Sequence, residues 1–206
     1  MEMKAVSEGA EARIYSTKLL GGEVIIKKRL PKRYRVRPLD DALRRQRTKM
    51  EARALELASK AGVRVPSILL VGDFDLYMSR VCGTNLSKML ASEKRIMNLR
   101  DVLFEAGTYA GRLHAAGIAH GDYTPANIMV CGGTAYVIDF GLATLMSSVE
   151  EKALDLLLMK RSLSKDAFSY FMSGYRKAYP ECDKTIGRLN SIERRGRYQT
   201  RTLAAT

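Results

Sequence analysis

The hydrophobic pattern divides the chain into a strand-rich first part and a helix-rich second part. Residues 1–30 read as strands. Within them Val24, Ile25 and Ile26 form a β-branched run that ends at Lys27 and Lys28, and Gly21-Gly22 marks the turn into it. Pro31 and Pro38 bracket a basic loop. Beyond it Leu39, Leu43, Met50, Ala54, Leu57 and Ala61 recur at spacings of 4, 7, 4, 3 and 4, which predicts a helix over residues 39–61 with these six on one apolar stripe. Gly62 is the expected stop. Two short strands follow, at residues 68–71 and 74–78, joined by a turn at Gly72-Asp73.

Residues 79–85, containing Gly83, read as a connector. After it Leu99, Val102, Leu103, Ala106, Ala110 and Leu113 share a helical face, and Gly117 ends that helix. Strands at 128–130 and 135–138 flank a hairpin turn at Cys131-Gly132-Gly133-Thr134, and helices are expected over 149–161, 164–178 and 183–194. The expectation is an α+β plan of two lobes: a small β-rich lobe over about residues 1–78, a hinge at 79–85, a mainly helical lobe at 86–194 and a basic tail at 195–206.

A length of 206 residues with 46% hydrophobic content suits one sizeable domain or two small packed lobes, with little left for insertions. Residues 1–11 carry Glu2, Lys4, Glu8 and Glu11 and have no apolar segment, so a secretory leader is not expected. The greasiest stretch, residues 154–159, is interrupted by Asp155 and is far from the ~18–20 apolar residues that a membrane span needs. Cys82, Cys131 and Cys182 are scattered without metal-ligand spacing, and there are two histidines, so no zinc constellation is expected. Reduced, idle thiols fit a cytoplasmic protein.

Charge changes the picture. Lys and Arg number 35 against 22 Asp and Glu, a net +13, and the excess concentrates in residues 27–49 and in the Arg194, Arg195, Arg197, Arg201 tail. Clustered positive charge favours a polyanionic partner over a merely solvated surface.

The chemistry resides in two motifs. His120-Gly121-Asp122-Tyr123-Thr124-Pro125-Ala126-Asn127 has the form H-x-D-x-x-x-x-N between a helix and a strand, and Asp139-Phe140-Gly141 follows a strand shortly after. Phosphoryl transfer needs these types together. ATP brings dense negative charge that Mg²⁺ neutralises, and a hard cation wants oxygen ligands, which Asn127 and Asp139 supply. Asp122 accepts a proton from, or orients, the attacking hydroxyl or water. Gly141 is expected to permit the backbone turn after the metal ligand.

Lys27 ends the β-branched strand as V-I-I-K, where it holds the α- and β-phosphates, and Glu51 on the long helix fixes it. Lys28 is the rival, and alternation favours Lys27, which shares a strand face with Ile25. Ser7, Glu8, Gly9, Ala10 and Glu11 are the candidate phosphate-covering turn, with one glycine where protein kinases carry three; a plain hairpin turn is the alternative. Met78, Ser79 and Val81 stand where a connector meets adenine, with Leu76 and Met78 as apolar walls.

Taken together, these motifs resemble the small atypical kinase subunit of the KEOPS complex. The resemblance covers nearly the whole chain: Ile26-Lys27-Lys28-Arg29, Lys32-Arg33-Tyr34-Arg35, Leu39-Asp40, Glu51-Ala52-Arg53, Leu113-His114, Ile118-Ala119-His120-Gly121-Asp122, Asp139-Phe140-Gly141-Leu142, Glu151-Lys152-Ala153 and Arg195-Gly196-Arg197. It implies Mg²⁺-dependent ATP chemistry in the service of the threonylcarbamoyladenosine modification of transfer RNA. It implies a threonylcarbamoyl-transferase partner and other small KEOPS subunits, and contact with transfer RNA through the basic loop and the tail. It also implies that Asp155 tethers the catalytic loop; pairing with Lys152 is the alternative. No A-P-E follows Gly141, so a platform for diverse peptide substrates is not expected. A RIO-type ribosome-biogenesis kinase, a small-molecule phosphotransferase and a non-catalytic nucleotide-binding adaptor are the other readings.

Overall fold

The computed structural model of the chain describes residues 3–9, 11–19, 21–92 and 98–203, with side chains up to residue 195. Five strands form one antiparallel sheet: β1 (Lys4–Glu8), β2 (Ala12–Leu19), β3 (Gly22–Arg29), β4 (Ile68–Val71) and β5 (Asp75–Ser79), in the spatial order β1-β2-β3-β5-β4. Strand β3 lies at the centre, with Lys27 opposite Ile14 on one side and Leu76 on the other. Val24 and Ile26 are buried at 2% and 3% exposure, so one face of β3 enters the core. The other face presents Ile25 and Lys27, as the alternation predicts, while Lys28 is exposed.

Helix α1 (Arg37–Lys60) crosses this sheet and ends where expected, with Gly62 beyond it at φ 77°. Its buried face matches the predicted stripe only in part. Ala54 is buried and Leu57 packs against the core, but Leu39 and Met50 are exposed, whereas Asp40, Thr48, Glu51, Ala52, Leu55 and Ala58, outside the stripe, are buried. The stripe argument assumed that a core face is apolar. Here the helix also buries acids: Glu51 against Lys27 and Arg29 of β3, and Asp40 against Arg44 of α1 itself.

The connector leads through the short strand β6 (Thr84–Asn85) into α2 (Leu86–Ala91), with Leu86 fully buried beneath it. Helix α3 (Leu99–Ala115), β7 (Ile118–Ala119), the hairpin β8 (Ile128–Cys131) and β9 (Thr134–Val137), and β10 (Thr144–Leu145) follow. Then come α4 (Val149–Ser162), α5 (Lys165–Ala178) and α6 (Asp183–Leu203). Among the described residues, therefore, a β-rich lobe precedes a helical one.

Small residues bring α3 and α5 into contact. A Cβ at Gly107 would sit 1.8 Å from the Phe171 carbonyl oxygen, and one at Gly174 would sit 1.9 Å from that of Phe104, so each helix backbone rests on the other where a side chain is missing. Around this crossing Leu103, Ala106, Leu113, Tyr123, Phe140, Leu156, Phe171 and Tyr175 form a core continuous with Leu55, Leu76 and Met78 of the first lobe. Ser148 caps α4: its hydroxyl accepts from the Glu151 N–H, and the Glu151 carboxylate accepts from the Ser148 N–H in return.

The basic segment after residue 194 continues the last helix rather than leaving it. Glu193 of α6 accepts from Lys160 at 2.7 Å, and Arg188 and Arg195 reach Glu150, so α6 is seated on α4. Arginine and glutamine are good helix formers. None of the described helices is long and apolar enough to cross a membrane.

Candidate active site

Three chain segments meet at a cleft of about 480 Å³ between the sheet and the helical lobe. Its walls include Ser7, Ile25, Lys27 and Glu51 from the first lobe and Met78, Ser79, Val81, Cys82 and Gly83 from the connector. Asn127, Met129, Ile138 and Asp139 complete it from the second lobe.

Lys27 is the centre of the charged end. Its Nζ donates to Glu51 Oε1 at 2.7 Å and to Asp139 Oδ1 at 2.6 Å, joining positions 112 residues apart. Burial works against the ammonium, but the two carboxylates outweigh it and hold the Lys27 pKa above its ordinary value. Asp139 responds in kind. Burial pushes its carboxyl up, while Lys27 and the Gly141 N–H, which donates to Oδ1 at 3.1 Å, bring it below the usual carboxylate range.

Asp139 itself adopts φ 61°, a left-handed conformation that aspartate tolerates better than most residues. The expected role of Gly141 is corrected accordingly, because the unusual backbone falls on Asp139. A Cβ at Gly141 would lie 3.0 Å from Lys27 Nζ and 3.1 Å from Asp139 Oδ1, so glycine is needed there for room.

The loop that carries Asp122 is held from beneath. Asp155, 1% exposed, accepts from the His120 N–H at 2.7 Å and the Gly121 N–H at 2.9 Å, and His114 Nε2 stands 3.2 Å away. A carboxylate accepts only, so His114 donates from Nε2 and takes the Tyr175 hydroxyl on Nδ1 at 2.8 Å. His120 does the same job locally: Nε2 donates to the Ile138 carbonyl at 3.1 Å, and Nδ1 accepts the Asp122 N–H at 3.3 Å. Burial lowers the pKa of both imidazoles, which keeps them neutral. Gly121, at φ 81°, packs where a Cβ would meet the Leu142 carbonyl at 2.2 Å, so the loop and the segment after Gly141 are pressed together.

Asp122 lies beside the cleft wall rather than on it. Asn127 Nδ2 donates to the Asp122 carbonyl at 2.9 Å and to its Oδ2 at 2.8 Å, which orients the carboxylate and leaves the Asn127 amide oxygen as its other polar face. Among the described residues, no group of three or more His, Cys, Asp or Glu side chains is arranged to hold a metal by itself. An amide oxygen and a half-exposed carboxylate on one cleft wall do fit a hard cation that shares its remaining ligands with phosphates and water.

The expected phosphate-covering turn is less open. Of that segment only Ser7 reaches the cleft wall among the described residues, beside the preceding Val6, and Ala10 lies outside them. The Gly9 N–H closes the turn on the Ala12 carbonyl at 2.9 Å. The side chain of Glu8 is engaged by Arg13 at 2.7 Å, and that of Glu11 by Arg47 at 2.7 and 2.8 Å. Leu76 is buried in the core and does not line the cleft, whereas Met78 does. Arg29 goes unnoticed in the sequence: it is 4% exposed and donates to Glu51 Oε2 at 2.6 Å. Its position two residues after Lys27 on one strand was the available signal.

Comparison with known proteins agrees with this geometry. The RIO domain family matches residues 27–177. The chain is 38% identical over 218 residues to the KEOPS complex subunit Bud32 of Pyrococcus abyssi, covering 97% of this chain and 98% of that protein. It is 37% identical to a probable serine/threonine-protein kinase BUD32 homolog of Archaeoglobus fulgidus, covering 88% and 96% respectively. A probable bifunctional tRNA threonylcarbamoyladenosine biosynthesis protein of Methanobrevibacter smithii is 34% identical over 94% of this chain, which spans only 36% of that protein. Among solved structures, the Rio2 kinase of Chaetomium thermophilum in its ADP/Mg²⁺-phosphoaspartate complex superposes with a TM-score of 0.65 at 16% identity, covering 96% of this chain and 70% of that one.

Proposed function

Because the chain belongs to the Bud32 family of RIO-domain atypical kinases, we propose that it is the ATP-dependent kinase or ATPase subunit of a KEOPS complex that supports threonylcarbamoyladenosine synthesis on transfer RNA. The observation that carries the reading is the Lys27 ammonium, held between Glu51 and Asp139 in a cleft that the connector also lines.

In this reading adenine sits against Met78, Ser79 and Val81, where connector backbone groups meet the base edge. Lys27 directs the phosphates, and Glu51 keeps the lysine in place. Asn127 and Asp139 would hold Mg²⁺, which would supply neutralisation of the charge on the phosphates. Asp122, oriented by Asn127, takes the proton of the attacking oxygen. The neutral His120, pinned to the Ile138 carbonyl, keeps the Asp122 loop in register with the strand that delivers Asp139.

The acceptor is narrow. Residues 142–148 alone separate Gly141 from α4, which leaves no peptide platform. Water, the chain itself or one partner protein are the acceptors that fit.

The threonylcarbamoyl-transferase subunit is the proposed partner, along with the smaller KEOPS subunits, and the proposed compartment is the cytoplasm. The name of the bifunctional relative supports a physical link between this domain and that biosynthesis. Transfer RNA would be met by the loop at residues 32–35 and by α6. Arg35 covers the exposed Tyr34 ring at 5.2 Å and reaches Asp40 at 3.6 Å, so the loop offers a shaped cationic surface. The test is reconstitution of threonylcarbamoylation with the transferase, transfer RNA and ATP. Product formation that depends on adding this chain supports the proposal, and equal product without it refutes the proposal.

A further inference from the structure

Lys27 and Arg29 stand two residues apart on β3, so both side chains leave the strand on the same face, toward α1. Between them lies Glu51, 2% exposed, with its two oxygens divided: Oε1 takes Lys27 at 2.7 Å and Oε2 takes Arg29 at 2.6 Å. Arg29 is itself fixed. The same guanidinium approaches the Arg47 carbonyl at 3.4 Å and the Glu11 carboxylate at 3.9 Å, while Arg44 donates to the Arg29 carbonyl at 3.4 Å. Around the lysine, then, two cations and two anions balance: Lys27 and Arg29 against Glu51 and Asp139.

That balance has a consequence. A buried carboxylate with one cation would draw the Lys27 ammonium fully to itself and away from Asp139 and the cleft. With Arg29 neutralising Oε2, Glu51 holds the lysine by one oxygen only, and Nζ stays 2.6 Å from Asp139 at the mouth of the phosphate site. Arginine suits the task because its planar fork stays charged and spans several acceptors, which the point charge of a lysine does not.

We infer that Arg29 is a positioning residue for phosphoryl transfer, acting through Glu51 to place Lys27. The inference rests on the phosphoryl-transfer reading above, and its test separates the two.

The experiment compares wild type, Arg29→Met, Arg29→Lys, Glu51→Gln and the Arg29→Met/Glu51→Gln double variant. Mg²⁺-dependent ATP turnover is measured, together with binding of Mg-ATP and of adenosine, which lacks phosphates. Arg29→Met should lower kcat at least tenfold and weaken Mg-ATP binding while leaving adenosine affinity within twofold. Arg29→Lys should recover part of kcat. In the Glu51→Gln background, Arg29→Met should cost less than a further twofold, because the path to Lys27 is already cut. Wild-type kcat in folded Arg29→Met, or full additivity in the double variant, overturns the inference. If Arg29→Met does not fold, Arg29→Lys decides: a threefold or greater loss of kcat supports the inference and wild-type kcat overturns it. If wild type shows no turnover, alone or with the transferase and transfer RNA, the proposed function falls, and binding decides for Arg29. A selective tenfold loss of Mg-ATP affinity supports it, and parallel behaviour of the two ligands overturns it.

Discussion

Glu51 in the β-rich lobe and Asp155 in the helical lobe are carboxylates of nearly equal burial, 2% and 1% exposed, yet they are stabilised by opposite means. Glu51 sits between two full positive charges, Lys27 and Arg29. Asp155 accepts two backbone N–H groups and faces a neutral imidazole. Side-chain charges on long stems are able to redistribute when phosphates enter. Backbone dipoles are fixed by the fold. In the proposed function, the lobe that would grip the nucleotide is thus built from adjustable electrostatics, and the lobe that would hold the proton acceptor from rigid hydrogen bonds.

Substitutions at the two acids sharpen this contrast. Glu51→Ala strips two buried cations of their shared partner and should destabilise by ~3–5 kcal/mol, with loss of turnover, as is usual when one side of a buried ion pair is removed. Urea unfolding of folded protein measures it. Asp155→Ala leaves two backbone N–H groups unsatisfied and should cost ~2–3 kcal/mol, whereas Asp155→Asn keeps an acceptor oxygen and should cost about half of that. Equal effects from the alanine and asparagine variants would contradict the hydrogen-bond account.

Acid separates the lobes more gently. His114 and His120 are the chain's two histidines, and burial depresses both pKa values. Below their unfolded value of about 6.5 the unfolded chain binds protons that the folded chain refuses, so stability rises with pH and is lost as pH falls. Two such groups give a slope of up to ~2.7 kcal/mol per pH unit between about pH 6.5 and the folded pKa values. Urea midpoints at pH 7.5 and 5.5 test this, and a flat profile would show that the imidazoles are charged or exposed in the folded chain. The smallest effect is expected at the α4 cap, where Ser148→Ala should cost ~1 kcal/mol and leave turnover unchanged.

Much of this was legible in the sequence where spacing reports directly on backbone. The α3 register, the Gly132-Gly133 hairpin and the Gly62 and Gly117 stops follow from periodicity and from positive φ at glycine. Asp122, Asn127 and Asp139 stood out as candidates too, because phosphoryl transfer calls for those residue types, and the structure brings Asn127 and Asp139 onto one cleft wall. What escaped was burial of charge. The apolar stripe on α1 fails at Leu39 and Met50, which are exposed, while Glu51 turns inward to meet Lys27 and Arg29 from β3. No local pattern encodes the second partner of Glu51, Arg29, which lies 22 residues away. The anchoring of Glu11 by Arg47 is long-range in the same sense, whereas the tether from Asp155 to His120 and Gly121 was expected from the family resemblance. The left-handed backbone at Asp139 is likewise set by its contacts rather than by a glycine.

The measurement that bears most directly on the central claim is Mg²⁺-dependent ATP hydrolysis by the pure chain, alone and with the transferase and transfer RNA, for wild type, Asp139→Ala and Asp122→Asn. The account predicts turnover in wild type that falls at least ~100-fold in each variant, with both variants still folded. Undiminished hydrolysis in Asp139→Ala, or ATP binding by wild type without turnover under any of these conditions, would contradict it.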